Sequence, residues 1–173
     1  KPFVTDLDLG ERLADQAEKK GVRLAVNQNG RWAPHWSYIR QAIERGLLGR
    51  VSSVRLAVNW DLSWVAGSAF EQIKHLVLYD FAIHWFDIVG CFLGGRRPLR
   101  VSASEARAPG QTMKPPLLSQ VLIEYEQGQA SLAFDASTRC GGEDSTFVTG
   151  SLGTARSSGP DLNAQELALA TAA

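Results

Sequence analysis

The chain has 173 residues, enough for one domain with a substantial core or for one large unit and part of another. Its 18 Lys and Arg balance 18 Asp and Glu, so no net field favours nucleic acid or an anionic membrane. Cys91 and Cys140 lie far apart without CxxC spacing, which argues against a disulfide framework or a cysteine zinc site and fits a reducing cytoplasm.

Asp6 or Asp8 can cap a helix running to about Lys20, with Leu9, Leu13, Ala14 and Ala17 as its apolar side and Gly21 as its left-handed stop. Residues 22–27 are rich in β-formers and predict a short strand. The polar loop 28–34 follows at its C-terminal end, where open α/β sheets bind ligands; a plain Asn-Gly turn is the alternative. Trp36, Ile39 and Ile43 recur at helical spacing before Gly46. Residues 51–61 alternate, with Val54, Leu56, Val58 and Trp60 on one side and Arg55 and Asn59 on the other, as in a half-buried strand. Residues 62–74 have no clear period, and a loop of that length is usually functional or mobile.

Residues 75–93 predict one long core helix, closed by Gly94, Gly95 and Pro98. It carries His75, Asp80, His84 and Asp87, charges that a membrane span would not tolerate. No signal peptide opens the chain, since Lys1-Pro2 leads directly into a polar amphipathic segment. Beyond residue 98 alternating runs predict strands at 99–106, 118–125, 130–138 and 146–150, with turns at 126–129 and 150–154. The chain is therefore expected to be α+β, with helices packed on one face of a mostly antiparallel open sheet. A first residue other than Met, and a last segment that stops mid-element, lead us to expect a fragment whose residues 1–30 belong to something upstream.

On an ideal helix Asp80, His84 and Asp87 fall at i, i+4 and i+7 and share one face. Buried ionisable groups must be paired or shift their pKa, so the stripe is a proton-handling site, a metal site or a self-satisfied polar seam. Metal is the weakest of the three, because His75 and His84 are nine residues apart and point in opposite directions. Spacing alone favours the seam over acid–base work.

Several stretches, taken in order, resemble the glucose–fructose oxidoreductase, inositol dehydrogenase and rhizopine-catabolism family (Gfo/Idh/MocA). Lys1-Pro2 is similar to the end of its Glu-Lys-Pro motif. Residues 21–29 with Arg31 and Pro34 resemble its last nucleotide-domain strand and crossover, and residues 43–51 its helix-to-strand joint. Asp80-x-x-x-His84-x-x-Asp87 matches its helix motif, while residues 125–130 and 148–154 resemble turns of its sheet. Two departures stand out: His75, Val77 and Phe81 occupy places that the family often fills with glycine, and no GxGxxG occurs.

The resemblance implies a dihydrodipicolinate reductase-like substrate-binding and oligomerisation domain at 31–173, C-terminally incomplete, after a helix–strand remnant of a Rossmann domain at 1–30. It implies NAD- or NADP-dependent hydride transfer at a hydroxyl or carbonyl carbon of a sugar, cyclitol or polyol, by a parent protein whose isolated fragment is inactive. His84 is then the general acid/base, Asp80 its orienter or a substrate partner, and Lys1 a donor to the reacting oxygen. Lys1, Pro2, Asn29 and Arg31 would border the cofactor, Trp60 and Trp64 would wall the substrate pocket, and Asp87 would serve the fold. No metal is implied. A homo-oligomer paired through the open sheet is expected, without nucleic acid or membrane partners. The rival from another class is a non-catalytic scaffold or dimerisation module of the same fold.

Overall fold

A computed structural model of the chain describes residues 2–172, so the role expected of Lys1 lies outside the described residues. Helix α1 (Leu7–Lys19) starts where the Asp6 carboxylate accepts the Leu9 N–H at 2.8 Å, which satisfies an orphan donor of the first turn. Gly21, at φ 62°, turns the chain away after it. Helix α2 (Pro34–Glu44) opens on proline, whose missing N–H costs nothing at that position. Helix α3 spans Ile83–Phe92.

Seven strands, β1 (Val51–Asn59), β2 (Arg100–Ala106), β3 (Leu118–Tyr125), β4 (Gly128–Asp135), β5 (Glu143–Gly150), β6 (Gly153–Gly159) and β7 (Glu166–Thr171), form one sheet ordered β2-β3-β4-β1-β5-β6-β7. Only β1 and β4 run parallel. Every other neighbouring pair is antiparallel, as the hairpin turns predict. The α+β class and the mostly antiparallel sheet are thus as expected.

The helices cover one face of this sheet. Val54, Leu56 and Val58 of β1, Leu132 and Phe134 of β4 and Val148 of β5 are buried in the same core as Trp36, Ile39, Trp85 and Ile88 of the helices. Two indoles fix the layers to each other by donating hydrogen bonds to β5: Trp36 Nε1 to Thr146 Oγ1 at 3.0 Å, and Trp85 Nε1 to Asp144 Oδ2 at 3.1 Å. A tryptophan can be buried this deeply only if its N–H finds such a partner. The other sheet face carries small and polar side chains, with the Arg55 guanidinium 4.8 Å over the Phe147 ring.

Two elements differ from expectation. Residues 22–27 form no strand, because none of the sheet's strands pairs with them; Val22, Leu24 and Val26 stand 59, 50 and 46 % exposed. Residues 75–93 are not one α-helix. Val77–Phe81 form a π turn, with the Ala82 N–H donating to the Val77 carbonyl, and α-helical bonding resumes at residue 83. Apolar periodicity marks which residues are buried, but not a shift in the backbone hydrogen-bond ladder.

Candidate functional site

The π turn reshapes the acidic–histidine stripe. Its wider turn changes the angle between Asp80 and His84 from that of an unbroken α-helix. Asp80 is buried at 7 % exposure within the turn, whereas His84 is half-buried in the first turn of α3. Asp87, one turn further on, accepts a bidentate pair from Arg31, both bonds at 2.6 Å. That ion pair and its hydrogen bonds raise the Arg31 guanidinium above its already high range. Arg31 is therefore engaged by α3, and its own carbonyl accepts from Ser37 and Arg40.

Between Arg31 and His84 the packing is close. A Cβ on Gly30 would lie 3.0 Å from the Trp36 ring and 3.4 Å from the His84 Cβ, so a larger residue would crowd the Trp36 ring of α2. The loop residue before it, Asn29, lines an opening together with His84, Phe3, Ala25, Val26 and Asn27. Phe3 is brought there by the N-terminal segment, which the Tyr79 hydroxyl holds by donating to the Thr5 carbonyl at 3.0 Å. Pro2, half-buried, begins the described part of that segment.

His84 and Asn29 thus share one opening, with Asp80 buried on the helix just before it. Trp60 is elsewhere, packed against the core with its ring 5.3 Å from that of Trp85. Its Nε1 is buried with no hydrogen-bond partner among the described residues. Trp64 is 68 % exposed and meets the edge of Phe81, ring centroids 6.5 Å apart. No group of three His, Cys, Asp or Glu among the described residues could hold a metal ion. No helix among them is long and apolar enough to cross a membrane.

Several features around the site have no local signal in the sequence. Gly30 and Arg31 sit in a motif that signals a loop, but their contacts with α3 span more than fifty residues of sequence. Trp85 reads as core, and nothing in its neighbourhood announces that Asp144, 59 positions on, is its acceptor. His35, at the start of α2, is buried at 4 % exposure. Burial pushes its imidazole down to about 4.

An open, mostly antiparallel sheet with helices on one face, and a histidine-bearing helix beside an uncovered flank, defines an α+β domain. A family model described as the GFO/IDH/MocA C-terminal domain matches residues 36–156, and the chain belongs to that family. Myo-inositol dehydrogenase Hyg17 of Streptomyces leeuwenhoekii is 35% identical over 106 residues, covering 61% of this chain and 32% of that protein. The WlbA dehydrogenase of Bordetella pertussis, solved with NADH and UDP-GlcNAcA, matches all of this chain and 54% of its own at 22% identity and a TM-score of 0.83. An oxidoreductase of Agrobacterium radiobacter, solved with NAD+, L-tartaric acid and magnesium, matches all of it and 53% of its own at 19% identity and a TM-score of 0.80. At such identities these two structures establish the fold alone. The chain spans about a third of the curated relative and about half of each solved one.

Proposed function

We propose that this chain supplies the substrate side of an NAD(P)-dependent oxidoreductase acting on a hydroxyl or carbonyl carbon of a sugar, cyclitol or related polyol. The observation that carries the reading is the shared opening of His84 and Asn29, set against a segment whose apolar residues are left uncovered. Val22, Leu24 and Val26 are the pattern of a strand without its sheet, which supports residues 1–30 as the tail of a nucleotide-binding domain and 31–173 as the substrate domain. The named relatives are a myo-inositol dehydrogenase and a dehydrogenase solved with a nucleotide sugar, which supports the substrate class.

The nicotinamide, when bound, supplies or accepts the hydride. This chain would receive it at the opening that Asn29 and His84 line. Asn29 with Lys1 and Pro2 borders the cofactor. Arg31 contributes by tying the loop that carries Asn29 to Asp87. His84 takes the hydroxyl proton during oxidation and returns it during reduction. Asp80, buried one turn earlier, orients the imidazole or binds a substrate hydroxyl. The Lys1 ammonium stabilises the developing alkoxide. Trp64 offers an exposed aromatic wall, while Trp60 supports the site from behind.

The test is His84→Ala in the full-length protein, which should lower turnover by about 10²–10⁴ with folding retained. Wild-type turnover would remove His84 from the mechanism and favour the scaffold reading.

The uncovered sheet face, with Phe147 beneath Arg55 and the β2 edge bearing Val101 at 58 % exposure, supports a homo-oligomer paired through the sheet. A monomer by light scattering at micromolar concentration would overturn that part. The separated cysteines, one of them exposed, fit a reducing cytoplasm.

A further inference from the structure

Asp144 is fully buried, yet it is the carboxyl group on a β5 face whose other buried side chains are Thr146 and Val148. Its Oδ2 accepts the Trp85 indole N–H at 3.1 Å, and its Oδ1 is buried with no partner among the described residues. Trp85 is the residue after His84. Its ring is the hub of an aromatic cluster, with centroids 5.9 Å from Trp36, 5.3 Å from Trp60, 5.8 Å from Phe134 and 6.4 Å from the His84 imidazole. Edge-on contacts of this kind orient the rings, and the Arg31–Asp87 pair ties α3 to the preceding loop rather than to the sheet. The one directional bond between the Trp85 ring and the sheet is the one to Asp144.

We propose that Asp144 is a positioning residue for His84: by holding the Trp85 indole it sets the rotation of α3 on the sheet, and so the direction in which the adjacent imidazole faces the opening. The proposal rests on the reading of His84 as the proton-transfer group. Gly30 packs close to both Trp36 and His84: a Cβ there would lie 3.0 Å from the Trp36 ring and 3.4 Å from the His84 Cβ. The arrangement is also titratable. Burial lifts the Asp144 carboxyl to about 7, Glu143 on its own strand and Asp161 before β7 add to the lift, and the Trp85 N–H opposes it. Gln165 donates to the Asp144 backbone carbonyl at 3.2 Å, and so does not pair the carboxyl itself. As pH rises through neutrality the carboxylate forms and becomes the stronger acceptor for the indole.

The experiment is carried out on the full-length protein. The Trp85 indole N–H and the His84 ring resonances are followed by NMR against pH in the wild type, Asp144→Ala and Asp144→Asn, beside steady-state kinetics. The Trp85 resonance should titrate near neutral pH in the wild type and not in either variant. Asp144→Ala should shift the His84 ring resonances and lower kcat at least tenfold with KM within about twofold. Asp144→Asn, which keeps an acceptor oxygen, should restore most of kcat. Unchanged Trp85 and His84 resonances in Asp144→Ala would overturn the proposal, as would equal losses in kcat for the two variants. Should Asp144→Ala fail to fold, a pH-independent Trp85 resonance in the wild type overturns it, and a titrating one that Asp144→Asn abolishes supports it. Full activity in His84→Ala would instead sink the catalytic reading, while the resonances still report whether Asp144 orients the imidazole.

Discussion

Residues 2–33 and residues 34–172 are built to opposite plans. In the second region apolar side chains from α2, α3 and the sheet bury one another, and even the indole N–H groups of Trp36 and Trp85 find acceptors. In the first, Leu7, Leu9, Leu13, Val22, Leu24 and Val26 are all more than a third exposed, although their spacing is that of an amphipathic helix and a strand. A pattern so regular and so uncovered marks a surface that folds against something else. The two regions meet along a seam where Gly30 and Arg31 contact α2 and α3 and where the Tyr79–Thr5 bond holds the N-terminal segment. His84 sits on that seam. The contrast teaches that the candidate chemistry lies where the well-buried region meets the uncovered one.

That contrast can be broken or sharpened by experiment. The largest effect is the loss in turnover for His84→Ala, since it removes the one titratable side chain on the opening among the described residues. Next comes Trp85→Ala, which empties the hub of the aromatic cluster and should cost about 3–5 kcal/mol in denaturant unfolding. A cost below about 1 kcal/mol would mean that the layers are not held there. Gly30→Ala overpacks the seam against Trp36 and His84 and should destabilise by about 1–3 kcal/mol. No change in stability or in the His84 resonances would show the seam to be loose.

A smaller effect concerns pH. His35 is held neutral in the folded chain down to about 4, whereas the unfolded chain takes up its proton near the ordinary 6.5. Its contribution is therefore whole above that range and is lost as pH falls from about 6.5 towards 4. His35→Gln should move the acid midpoint of unfolding to lower pH, and an unmoved midpoint would reject the assignment. Asp144 works in the other direction, because its carboxyl is raised above the unfolded value of 3.8. Its contribution is whole below about 4 and declines as pH rises towards 7. The smallest effect is Leu13→Ser on α1, expected within about 0.5 kcal/mol for this chain because Leu13 is already in solvent. The same change in the full-length protein should cost more, and equal costs would count against an upstream domain covering α1.

Much of this organisation was legible in the residues. Alternation in β1 and in the β3–β4 hairpin predicts both strands and faces, because a period of two leaves no choice of which side chains enter the core. Asp6 and Gly21 bracket α1 because capping and left-handed turns are local chemistry. The strand expected at 22–27 depends on neighbours that no local pattern can supply. The pairing of Arg31 with Asp87 and of Trp85 with Asp144 is equally invisible, since both bonds close loops of more than fifty residues. Reading Asp80, His84 and Asp87 as one stripe assumed an unbroken α-helix, and the π turn separates the first from the other two.

That turn has a consequence for how the site could change over time. A helix transmits phase: inserting or deleting one residue rotates everything beyond it by about 100°. The turn at Val77–Phe81 absorbs such a residue locally, so the sequence before it can drift in phase while α3 stays clamped by Trp85 and Asp87. Asp80 and its neighbours in the turn can then change direction without moving the imidazole.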